Sequence, residues 1–197
     1  MMPNRLFLTL PLLAVAACGP RVFTRGVYED PNTIEMLSDQ FNENDLQLIA
    51  KKMVGSLETS AQFARIQGQP IIIVGKMKNS TSEHIDMQSL ADRIQVQLAK
   101  SGKFAFMDKR AREEIATEYE YQQSGYVRPD AAKGPGEQAS ADYLFTGEIS
   151  SIIQEVGGDK LVYYKMTSKL HNLRSAVIEW TDEKELRKKF IKQNATW

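Results

Sequence analysis

Apolar side chains first fall into a regular pattern after Asn42. Leu46, Ile49, Met53 and Leu57 recur at spacings of three and four, which predicts an amphipathic helix capped by Asn42 or Asn44. Gln69-Pro70 breaks that period, and Ile71-Ile72-Ile73-Val74 follows as a continuous β-branched run suited to an interior strand. Asn79 to Ser82 reads as a polar turn. Ile85, Leu90, Ile94 and Leu98 restore the helical period, ended by Lys100 and by Gly102 at the place where a left-handed cap costs least. Phe104 to Met107 predicts a short strand. Asp108 is placed to cap a third helix, with Ala111, Ile115 and Tyr119 inward, Arg110, Arg112, Glu113 and Glu114 outward, and Gly125 as its stop.

The segment 126–140, YVRPDAAKGPGEQAS, has two prolines, two glycines and few large apolar groups, so it is expected to be an exposed loop. Alternation from Tyr143 through Ile149 and Ile153 predicts a strand. Gly157-Gly158-Asp159 supplies a hairpin turn, and 161–170 the returning strand. Tyr163 and Tyr164 then point to opposite faces, one of them into the core. A last strand is expected from Ala176 through Ile178 and Trp180. Beyond it the pattern divides: Asp182 with Glu185 also satisfies a capping box, so 183–192 reads as strand or as helix. Three helices interleaved with two strands and followed by a three-strand meander predict an α/β, two-layer domain. Its mixed sheet has about five strands packed with about three helices, and the first two strands are parallel through the second helix.

The amino terminus is of a different kind. Arg5, an apolar run from Leu6 to Ala17 and the small residues Val15-Ala16-Ala17 form a signal peptide. The run is too short for a spanning helix, which needs ~20 apolar residues. It ends at Cys18, the only cysteine of the chain. Val-Ala-Ala-Cys resembles the lipobox of bacterial lipoproteins, which implies a diacylglyceryl group on the Cys18 sulfur and cleavage just before it. Several acyl chains, at ~0.8 kcal/mol per buried methylene, anchor a protein firmly. Gly19, where an aspartate would resemble an inner-membrane retention signal, favours the outer membrane with the domain facing the periplasm. The expected organisation is signal peptide 1–17, lipidated end and tether 18–43, globular domain 44–192 and tail 193–197. The tether residues 19–41 reach ~75–80 Å at full extension.

Charge narrows the function. Of the chain's 197 residues, 25 are Lys or Arg and 25 are Asp or Glu; removing 1–17 takes away only Arg5, leaving 24 against 25. No basic stripe calls for nucleic acid. The two histidines, His84 and His171, show no zinc-ligand spacing, and the sequence has no nucleophile elbow, so no metal, cofactor or catalytic residue is expected. Glu113-Glu114 and Glu183 with Glu185 lie in solvated charged runs. Asp142 and Glu148 flank Phe145 on one strand, but spacing alone does not make an acid and base pair. The chain reads as a non-enzymatic binding module.

The lipobox and tether together with SLADRIQVQLAKSGKFAFMDKRAREEIATEYEYQQSG (89–125), ADYLFTGEISS (141–151) and AVIEWTDEKELRKKF (176–190) resemble the LpoB family, over roughly 44–190. The clearest marks are Ser-Gly-Lys-Phe at 101–104, Ala-Asp-Tyr-Leu-Phe at 141–145 and Ile-Glu-Trp at 178–180. The resemblance implies a fold similar to the amino-terminal domain of TolB. It also implies an outer-membrane lipoprotein that docks, as a monomer, on a bifunctional penicillin-binding protein and activates this peptidoglycan synthase. Well-known members have a long proline-rich linker, whereas this tether has about two dozen residues and two prolines. The loop 126–140 is then expected in the docking surface, with Tyr126 and Arg128 as aromatic and cationic contacts of the kind enriched at interface centres. A second resemblance, to CsgG-like export components, implies ring assembly and membrane-inserting strands. Glu148, Glu155, Lys160 and Lys165 make the hairpin at 143–172 look like soluble sheet instead.

Overall fold

The computed structural model describes residues 28, 30, 33, 37–65 and 68–192. Cys18, the signal peptide and the tail 193–197 lie outside the described residues. Helix α1, Glu43–Glu58, starts at Asn42, whose side chain accepts from the Asp45 backbone amide while the Asp45 carboxylate accepts from the Asn42 amide. This reciprocal cap satisfies two donors that a helix start leaves orphaned. A short 3₁₀ turn, Phe63–Arg65, precedes strand β1, Ile71–Ser80. Helix α2, Met87–Lys100, is capped by Asp86, which accepts from the Gln88 and Ser89 amides. It ends with Gly102 at φ 71°, the left-handed position expected for it. Then come β2, Ala105–Met107, α3, Arg112–Tyr121, β3, Tyr143–Val156, β4, Asp159–Asn172, and β5, Ile178–Ile191.

The strands form one mixed sheet in the order β2-β1-β3-β4-β5. β1 is parallel to both β2 and β3, and β3, β4 and β5 are successively antiparallel. Thus the β-branched run at 71–74 lies in an interior strand, as its composition required. β3 and β4 turn through Gly157 and Gly158, both at positive φ, which a two-residue turn of this twist demands. In β4 the alternate residues Val162, Tyr164, Met166, Ser168 and Leu170 are buried, while Tyr163 and its alternates are not. The buried set meets Ile49, Met53 and Leu57 of α1 and Leu90, Ile94 and Leu98 of α2 in one core. One sheet face is therefore covered by these two helices.

One open alternative is resolved and several local expectations are corrected. Residues 183–191 are strand, so the capping box at Asp182 is not used: Asp182 instead meets Lys52 of α1 at 2.8 Å and Trp180, Leu186 and Lys188 are buried on the helix side. Tertiary burial of every second residue outweighs a local cap signal. The last strand begins at Ile178, because Ala176 sits at φ 58° in a turn closed by its amide on the Asn172 carbonyl. β1 continues through Ser80, where a turn was expected, because Asn79 and Ser80 pair with Ile149 and Ser150. Asp108 bonds the Arg110 amide and does not cap α3, which starts after Ala111 with no side-chain cap. None of α3 is buried; Ile115 is exposed and Ala111 and Tyr119 are only half-buried, since α3 lies outside the core at the β2 edge of the sheet.

Candidate functional site

The end of α3 builds the expected docking residues. After Tyr121 the chain makes one wide turn, Gln122–Tyr126, in which Gly125 at φ 96° reverses direction. That reversal lays the Tyr126 ring on the Tyr121 ring, 5.6 Å between centroids and 11° from parallel. Both rings face solvent, Tyr126 at 81 % exposure and Tyr121 at 54 %. The Lys133 amide donates to Gln122 Oε1 at 2.7 Å, tying the following loop back to the turn. Arg128 Nη2 meets Asp130 Oδ2 at 3.1 Å, and the Ala131 and Ala132 amides close a turn on the Arg128 carbonyl. Arg128 and Tyr126 thus stand on the same exposed segment, each held in place locally and neither covered. Beneath α3, Phe106, Met107, Ile115 and Tyr119 line a shallow, mainly apolar cleft of about 310 Å³.

The carboxylates that could suggest chemistry have structural work. Asp142 Oδ2 accepts from the Ile71 amide at 2.8 Å and fixes the start of β1. Glu148 accepts from Lys78 Nζ at 2.8 Å and Ser80 Oγ at 2.6 Å, and these bonds hold its carboxyl below the usual range. Glu185 accepts from the Tyr163 hydroxyl at 2.6 Å, which pushes the phenol up to about 12. His171 Nε2 shares a hydrogen bond with Thr146 Oγ1, and His84 is exposed in the loop before α2. Among the described residues, no three His, Cys, Asp or Glu side chains are grouped to hold a metal ion. Nor is any helix among them long and apolar enough to cross a membrane.

A second feature lies at the other end of the sheet. Residues 39–41, expected in the tether, are fastened to the domain. Lys160 Nζ binds Asp39 at 2.8 Å, which holds the Asp39 carboxyl below its ordinary value. Lys188 Nζ donates to the Gln40 carbonyl at 2.7 Å, and the Phe41 amide donates to Glu83 Oε2 at 2.7 Å. The Phe41 ring meets Tyr164 edge-on at 5.5 Å, and the Tyr164 hydroxyl donates to Glu83 Oε1. Burial, then that bond to Glu83, raises the Tyr164 phenol well above its ordinary value. The sequence signal was Phe41 itself: an apolar residue just before the cap, packed with the core beside Leu46 four positions into the helix, is a hydrophobic staple.

Residues 45–186 match the family described as peptidoglycan-synthase activator LpoB. The chain belongs to that family. Among solved structures it is similar to the carboxy-terminal domain of LpoB from Escherichia coli, at 13 % identity and TM-score 0.47, covering 72 % of this chain and 98 % of that one. The corresponding Salmonella enterica domain gives 13 % identity and TM-score 0.45 with the same coverage. An NMR structure of Escherichia coli LpoB gives 14 % and 0.43 over 91 % of this chain and 88 % of that one. No curated protein matches the sequence. The LpoB match covers most of α1, all of α2 and α3 and nearly the whole sheet, and it includes Tyr126 and Arg128; residues 39–41 and Cys18 fall before it.

Proposed function

We propose that this LpoB-family chain is a lipoprotein, acylated at Cys18 and held to the inner leaflet of the outer membrane, that binds a bifunctional penicillin-binding protein in the periplasm. Binding favours the active state of that synthase and raises glycan polymerisation and crosslinking. The match to the synthase-activator family over 45–186 carries this reading. The stacked Tyr121 and Tyr126 pair beside Arg128 supports a docking role for this end of the domain. The rings are already ordered before any partner arrives, so little side-chain freedom remains to be lost on binding.

The energetic demand is modest. An activator shifts its target only by binding the active conformation better than the idle one, and a tenfold shift requires about 1.4 kcal/mol of difference. A few well-packed aromatic and guanidinium contacts supply that. The test is polymerisation of lipid II by a purified bifunctional synthase with and without the acyl-free protein. Stimulation that saturates with concentration is expected. Unchanged polymerisation across the synthases of the host would overturn the reading, as would a Cys18 thiol found unmodified in protein isolated from membranes.

A further inference from the structure

The uncovered face of the sheet changes character toward the β3 to β4 turn. Cross-strand register places Ile152, Tyr163 and Arg187 in one row, Gln154, Leu161 and Lys189 in the next, and Val156, Asp159 and Ile191 in the last. Rows two residues apart share a face, and this is the face opposite α1 and α2, because Val162 between the first two rows is in the core. Val156 is 77 % exposed, Ile191 66 % and Ile152 57 %. Single exposed aliphatics need no explanation, but a contiguous set on one face, with Arg187 and Lys189 interleaved, marks a contact surface.

The chain's own path says which end of the sheet lies nearest the anchor. Asp39 and Gln40 are fastened to Lys160 and Lys188 on the helix-covered side of the sheet close to this turn, so the polypeptide leading back to Cys18 joins the domain at the hairpin end, across the sheet from the patch. The loop carrying Tyr126 and Arg128 instead runs into Tyr143, at the far end of a 14-residue strand, ~45 Å away. Cys18 is 21 residues before Asp39. We propose that the patch of Ile152, Val156, Leu161 and Ile191 is a peripheral contact for a phospholipid surface, the leaflet that holds the anchor. The inference rests on the anchor of the proposed function. Seated this way, the hairpin end faces the lipid and the Tyr126 end faces away from it. Four aliphatic side chains at an interface bind only marginally by themselves, while attachment through a short linking segment supplies an effective concentration of the order of millimolar. Arg187 suits anionic headgroups, while Lys189 is ion-paired with Asp159 of the same face at 2.8 Å.

The test uses the chain beginning at Cys18, coupled through that single cysteine to maleimide-bearing phospholipid in vesicles of phosphatidylethanolamine and phosphatidylglycerol. Amide hydrogen exchange in peptides covering 150–162 and 187–192 is expected to slow at least about fivefold relative to the uncoupled chain, with 121–140 unchanged. The double variant Val156→Glu with Ile191→Glu should lose the slowing while keeping its melting temperature, since both side chains already face solvent. Equal exchange in coupled and free chains overturns the proposal, as does slowing at 121–140 instead. Loss of synthase stimulation in the double variant, with exchange that never responds to vesicles, assigns the patch to the protein partner and equally overturns it. Because the coupling is chemical, these outcomes do not depend on native acylation or on synthase activation, which the lipid II and membrane-isolate measurements decide separately.

Discussion

Lys188 Nζ lies 2.7 Å from Asp45 Oδ2 with both side chains 5 % exposed, joining the far end of β5 to the first turn of α1. Lys188 also donates to the Gln40 carbonyl and sits 5.2 Å from the Tyr164 ring centroid, so its charge is met on three sides. Asp45→Ala should destabilise the domain by about 3–5 kcal/mol, because it strands a buried ammonium and removes half of the helix cap. The measurement is urea unfolding. Replacing the pair together, Asp45→Leu with Lys188→Met, should cost clearly less than Asp45→Ala, since buried ion pairs often exchange for apolar pairs at little loss. A double variant as unstable as the single one would show that the stability comes from packing at Asp45 and not from the pairing.

Two positions are expected to stabilise when changed. The Ser168 hydroxyl is fully buried on β4 with no hydrogen-bond partner among the described residues. Ser168→Ala removes that unpaired group and should raise stability by about 1 kcal/mol. Ala176 holds a left-handed backbone at φ 58° on an exposed turn. Ala176→Gly relieves that strain, and after the extra freedom glycine gains in the unfolded chain the net gain is expected to be up to about 1 kcal/mol. Thermal unfolding reads both, and the sites lie far enough apart in the sheet, one in the core and one in the turn before β5, for the gains to add.

Alkali should unfold the protein through two adjacent tyrosines. Tyr164 is raised by burial and its bond to Glu83, and Tyr163 is raised to about 12 by its bond to Glu185. A phenol with a raised native value contributes stability in full below pH 10, its unfolded value, and loses it as pH climbs toward the native one. Melting temperature should therefore fall steeply between about pH 10 and pH 12 while tyrosinate absorbance rises with it. Tyr164→Phe should flatten the descent and lower stability at neutral pH, where its hydroxyl bond is lost. An unchanged alkaline slope in that variant would remove Tyr164 from the account.

What the sequence made legible follows the strength of its periods. The inner faces of α1 and α2, the β1 run and the Gly157-Gly158 turn were readable because each is a local pattern that packing reinforces. The course of 182–191 was not, since Asp182, Lys184 and Lys188 occupy the helix-facing positions of β5 and interrupt the apolar alternation. Asp182 is met by Lys52 and Lys188 by Asp45, partners more than a hundred residues away, which no local window contains. Helix α3 formed as read but its inner face was not buried: its apolar period, three residues from Ala111 to Tyr119, is weak, and the helix lies at the β2 edge outside the core. At the proposed docking end, Tyr126 and Arg128 could be named from residue type and loop composition. The stacking of Tyr126 on Tyr121 depends on the reversal at Gly125 and needed the three-dimensional structure.

That stack gives the docking reading its clearest test. Tyr126→Ala removes one ring of an exposed pair, and Arg128→Ala removes a cation whose side chain, among the described residues, bonds Asp130 alone in an ion pair exposed to solvent on both sides. Neither side chain touches the core, so the double variant should keep the wild-type melting temperature. If the pair lies at the centre of the docking surface, affinity for the synthase should fall at least about tenfold, as for truncated aromatic and arginine contacts at other interfaces. Tyr121→Ala should weaken binding less than Tyr126→Ala, because it withdraws the support beneath the outer ring while leaving that ring in place. Undiminished capture of the synthase by the double variant would move the docking surface away from this loop, and stimulation of lipid II polymerisation would then have to be traced to another face of the domain.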